Sequence, residues 1–154
     1  MLDQVDELIR AVLLRDLPAL TTSEQVRFQP PDDDLRTAVA NLGRDVLSVY
    51  LVDVRENRNL RSPEWQLTHG PAGPQRDMSP VRVDCHYLIS AWSPATLTPA
   101  IEPTLDEHVL LYQAMAVLFR LGSLSLSEVF PLGSLALNAV DELIRHQDLP
   151  IQVV

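Results

Sequence analysis

Two groups of residues have types and spacings that could do chemistry. In the first, Asp84 and His86 stand two apart and His108 lies further along the chain. Residues two apart on a strand face the same side, so a carboxylate and an imidazole would sit together, and a second imidazole would complete the two-histidine, one-carboxylate set that holds iron. The same spacing also describes the polar outward face of a half-buried strand, with His108 in an exposed first helical turn. Nothing around the three suggests a substrate pocket, so the plainer description is adopted: no catalytic residue, no metal ligand and no cofactor is expected.

The second group is Arg55, Arg58 and Arg61 with Asn57 and Asn59. Arginines at intervals of three place guanidinium groups along one short segment, where they could clamp an acidic partner surface through bidentate pairs. They could equally neutralise Asp53, Glu56 and Glu64 beside them. Arg55, Asn57, Arg58 and Arg61 are the expected interface residues.

Enzyme signatures are missing. The sequence has no glycine-rich phosphate loop, no paired CxxC, no HExxH and no GxSxG, and its five glycines leave little material for a nucleotide cradle. The expectation is a protein that is not an enzyme.

The elements that must position these residues follow from periodicity. Leu2, Val5, Leu8, Ile9, Val12 and Leu13 recur at helical spacing with Asp3, Asp6, Glu7 and Arg10 opposite, which predicts an amphipathic helix ended by Pro18. A short strand is expected over Val26 to Phe28, then a loop through Pro30 and Pro31. Asp32, Asp33 and Asp34 read as a solvated turn, since a calcium loop needs alternating oxygen ligands and a glycine for the bend. The run from Val46 to Val54 is β-branched, aromatic and apolar on both faces, the pattern of a strand central in a sheet.

Residues 62 to 80 break periodicity with repeated prolines and two glycines and read as a long excursion. From Val81 to about Trp92, apolar odd positions alternate with mostly polar even ones, predicting a strand with its odd positions inward. Thr104 and Glu107 have the spacing of a capping box before a buried helix through Val109 to Phe119, with Gly122 as its stop. A further amphipathic helix is expected from Ser134, carrying Leu135, Leu137, Val140, Leu143 and Ile144, and IQVV after Pro150 is strand-like. The order predicts an α+β fold: a single domain over residues 1–154, with a mixed β-sheet and its helices packed on one side.

Composition narrows the partners. The chain of 154 residues has the bulk of one domain, with 46% hydrophobic and 21% charged residues. Its formal charge is −9, and both halves are acidic: thirteen acids against nine arginines before residue 81, and eight against three after it. Binding to phosphate backbones needs clustered cations, so nucleic acid and anionic membranes are poor partners. All twelve basic residues are arginine. Cys85 is the single cysteine and cannot form an internal disulfide. The N-terminus is acidic rather than a basic stretch before an apolar run, so no signal peptide is expected, and no apolar run is long enough to span a bilayer.

Three blocks resemble one family. LSVYLVDVRENRNLRSPEW is similar to a strand with a Tyr-Leu core followed by Asn, Arg and a turn; VRVDCHYLISAW is similar to a strand with a His-Tyr-Leu centre; and DEHVLLYQAMAVL is similar to a Glu-His pair opening a helix with a central Ala-Met. Their order and spacing resemble the tail-terminator, or cap, proteins of extracellular contractile injection systems and related phage-tail-like particles. The resemblance implies a structural cap: a homo-oligomeric ring, usually hexameric, on the end of the inner tube farthest from the baseplate, stopping tube growth and helping to anchor the last layer of sheath protein. It implies assembly in the cytoplasm and a place in the injection particle, either released on lysis or kept inside the cell. His86 and His108 become structural positions of the fold. Family members often continue past the point where this sequence stops, which favours tube capping over sheath anchoring as the expected role. The alternative is an assembly adaptor or chaperone for tube or sheath subunits.

Overall fold

The computed structural model of the protein describes residues 2–60, 65–70, 73–78, 82–98, 100–121, 123–124, 129 and 151–152. Its described elements, in chain order, are α1 (Leu2–Asp16), β1 (Val26–Arg27), α2 (Asp33–Leu42), β2 (Val46–Glu56), β3 (Trp65–Gly70), β4 (Gly73–Met78), β5 (Val83–Trp92), α3 (Pro103–Leu121), β6 (Ser123–Leu124) and β7 (Ile151–Gln152). A mixed three-stranded sheet in the order β1-β2-β5 accompanies the helices, an α+β fold. The chain divides into two compact units, Met1–Tyr50 with Ile89–Val154, and Leu51–Leu88.

In the first unit, α1 buries Leu8, Ile9, Val12 and Leu13, the stripe its periodicity predicts. Leu17, Leu20, Val26, Val46, Leu47 and Val49 join the same buried set. β1 runs parallel to β2, with Val26 opposite Leu47 and Arg27 opposite Ser48. Parallel neighbours need a crossover connection, and α2 supplies it. The acidic triplet expected as a turn starts this helix instead. Asp32 is the N-cap, its carboxylate accepting the Leu35 N–H at 3.0 Å, and Asp33 and Asp34 lie in the first turn, where the exposed N–H groups favour negative charge. Gly43 closes the helix at φ 65°, a left-handed cap that suits glycine, its N–H donating to the Val39 carbonyl at 3.0 Å. Leu35 and Val39 then pack on Val46, flanked by Leu42 and Trp92, and the Arg36 guanidinium lies 5.3 Å from the Trp92 ring.

Buried polar groups secure the turns between these elements. Gln25 is 3% exposed. Its side-chain oxygen accepts the N–H groups of Thr21 at 2.8 Å and Thr22 at 3.1 Å, and its nitrogen donates to the Asp45 carbonyl at 2.9 Å. The Ser48 hydroxyl, also buried, donates to the Gln29 carbonyl at 2.8 Å.

The predicted capping box is not formed. Pro103 is the first residue of α3, where its missing N–H costs nothing, so Thr104 already lies inside the helix. Glu107 instead accepts the Ser93 N–H at 3.1 Å, tying the helix to the end of β5. The buried helix expected over 109–119 is buried along one stripe only, Leu110, Ala114, Val117 and Leu118. Leu105, Val109, Tyr112, Met115 and Phe119 are exposed. Beyond α3, β6 pairs antiparallel with β7, Leu124 opposite Ile151, so the strand-like ending is a strand. The helix expected from Ser134 lies outside the described residues, as does Gly122.

The second unit holds the outer parts of β2 and β5 and an antiparallel hairpin, β3 with β4, in register from Trp65 opposite Met78 to Gly70 opposite Gly73. A stretch expected to be an aperiodic excursion therefore contains two strands. Pairing across a tight connection needs backbone freedom more than hydrophobic alternation, and Gly73, at φ 109°, supplies it. The predicted alternation of β5 holds for Asp84, Cys85, His86 and Tyr87, but Val83, expected inward, is 42% exposed.

Candidate functional site

The candidate site is the place where β2 ends and β5 begins. β2 runs on through Arg55 and Glu56, a 3-10 turn follows over Arg58–Leu60, and the chain comes back at Arg82 to start β5. Asn57 joins the two ends. Its backbone N–H donates to the Arg82 carbonyl at 2.9 Å, and its side-chain amide donates to the Asp84 carboxylate at 2.9 Å. Hydrogen bonds to a carboxylate are stronger than neutral ones, and this one bridges the two strand ends through one short side chain.

The four expected interface residues separate under this geometry. Arg55 forms an ion pair with Asp53 through Nε, and its side chain stays 75% exposed. Local neutralisation is thus the arrangement found for Arg55, as two residues apart on a strand share a face. Asn57 is half-buried and engaged with β5. Arg58 is exposed in the 3-10 turn. Arg61 lies outside the described residues, as does Glu64, one of the acids it could neutralise.

The candidate ligand set is also distributed by the fold. Asp84 and His86 share one face of β5 and are exposed, with Asp84 serving as the acceptor for Asn57. His108 is exposed on α3, in the other unit. Among the described residues no three His, Cys, Asp or Glu side chains form a group that could hold a metal ion. No helix among the described residues is long and apolar enough to cross a membrane.

Sequence reasoning singled out Asn57 and Asp84 in separate groups and missed that they are partners. The only available signal was positional: an amide-bearing residue just after one strand and a carboxylate at the start of the next, 27 residues apart. Periodicity does not report pairs at that separation.

Comparison with known proteins agrees with this fold. The Pvc16 N-terminal domain family matches residues 4–153. The sheath/tube terminator of an extracellular contractile injection system, PVC, in its extended state, is similar in structure: TM-score 0.52, 18% identity, 99% of this chain and 52% of that chain covered. The tube-terminating cap of the anti-feeding prophage is similar too, at TM-score 0.52 and 19% identity, over 99% of this chain and 50% of that chain. At these identities the likeness is one of fold. The chain spans about half the length of the solved structures it matches. No curated protein matches it.

Proposed function

The chain belongs to the Pvc16 N-terminal domain family, and on that premise we propose that it is a structural, non-catalytic cap of a contractile injection system, acting as one terminator domain in a homo-oligomeric ring on the end of the inner tube. The observation that carries this reading is the agreement of fold along nearly the whole chain with two terminators of such particles. Stacked tube rings expose a self-complementary end, so a subunit that matches that end and presents a different outer face halts addition.

The ring, usually hexameric in proteins of this kind, assembles in the cytoplasm, contacts the tube first and supports the last sheath layer second. Contact with the tube runs through the segment after β2. With a chain charge of −9, contacts to other acidic surfaces require local cations. Arg58 and Arg61 supply them, while Arg55 is already paired with Asp53.

The test is the tube-length distribution, by electron microscopy, of particles from cells lacking this gene. Overlong or ragged tubes without a closed end are expected. Particles of normal length with an intact cap would overturn the reading.

A further inference from the structure

We infer that Asn57 is a positioning residue: its hydrogen bond to Asp84 is a latch that closes the neck of the 58–81 excursion and aims Arg58 outward from the sheet. This rests on the reading above that the segment after β2 faces the tube.

The geometry is compact. In sequence the β3–β4 hairpin lies between the end of β2 and the start of β5, and Asn57 and Arg82 stand at those two strand ends. Two donors of one residue hold that junction, the Asn57 N–H on the Arg82 carbonyl and the Asn57 amide on the Asp84 carboxylate, each at 2.9 Å. The first bond joins the residue after β2 to the residue before β5. The second reaches Asp84, the second residue of β5, so a lateral opening of the strands at Asn57 must break both.

A two-stranded ribbon is marginal in water, and here Val52, Val54, Val83 and Leu88 are exposed, so little apolar burial holds the ribbon shut. Arg58 follows the latch directly and is the exposed first residue of the 3-10 turn over Arg58–Leu60. A contact residue presented in one orientation loses less freedom on binding than one that must first be ordered. The side chain that sequence alone assigns to the partner surface thus acts through its neighbour.

The experiment is a mutant cycle on the purified full chain, read by amide hydrogen exchange at position 57, whose N–H is retained in every variant. Asn57→Ala and Asp84→Ala each speed that exchange about ten-fold, and the double variant is no faster than either, because both remove one interaction. Asp84→Asn keeps an acceptor oxygen and keeps exchange slow. Unchanged exchange in the two alanine variants, or additive effects in the double variant, would overturn the latch, and this readout needs no tube.

Capture of purified tube then tests what the latch is for. Arg58→Glu lowers capture about ten-fold at low salt and less at high salt. Asn57→Ala lowers capture in the native background and has no further effect when Arg58→Glu is already present. A further loss on that background would overturn positioning through Arg58. Normal capture by Arg58→Glu alongside a confirmed latch would instead overturn the proposed tube contact.

Discussion

At the scale of single residues, electrostatics here are decided by the nearest partner. Asp16 ends α1 and accepts two hydrogen bonds from Arg15, each at 2.8 Å, while Arg120 of α3 approaches to 3.4 Å. The Arg15 guanidinium holds the Asp16 carboxyl below its ordinary value, partial burial opposes this, and the charges of Arg15 and Arg120 add to the lowering. A depressed native value means that the group contributes stability above the unfolded value and loses it as pH falls through the native one. Asp16→Asn should therefore cost stability at neutral pH, by less than about 1 kcal/mol since the Arg15 and Arg120 side chains are 44% and 69% exposed. The gap to the native protein should narrow below about pH 4. Urea unfolding at neutral and acid pH checks this, and a gap that widens with acid would contradict it. Gln25 makes the complementary point about neutral groups. Its amide is tolerated in the core because its oxygen and its nitrogen both meet backbone partners.

At the scale of elements, α2 shows how a local rule can be present and unread. Three aspartates in a row suggest a solvated loop, yet one caps, two meet the helix N-terminus and Gly43 closes the far end. Asp32→Ala should cost about 1 kcal/mol, measured by chemical denaturation, whereas Asp34→Ala, which makes no cap bond, should cost less. Equal losses would mean that the cap bond is not what secures the helix. α1 and the start of β2 were legible because their apolar residues repeat with the period of the element. For α3 the apolar run exceeded what the fold buries, and the run alone could not say which stripe faces inward. The β3–β4 hairpin was hidden for the opposite reason, since prolines suppress the alternation that marks a strand.

At the scale of the molecule, protection should follow burial along β2. Val46, Leu47, Ser48 and Val49 are all buried, while Val52, Val54, Arg55 and Glu56 are exposed. Amide exchange should be slowest at 46–49 and faster at 52–56, and uniform protection along the strand would contradict that gradient. The sequence by itself determined the class of the protein: acidic, built from helices and strands, without the motifs of common enzymes, and carrying three blocks that point to its family. Those features are local, because composition, period and short motifs are written in neighbouring residues. Only the tertiary structure decided that α2 is a crossover between parallel strands, that one stripe of α3 is buried, and that Asn57 belongs to Asp84. Each of these depends on groups distant in sequence meeting in space: Gln25 reaches Asp45 across 20 residues and Asn57 reaches Asp84 across 27. Such pairs are selected by the packing of the whole chain, and no window of sequence contains them.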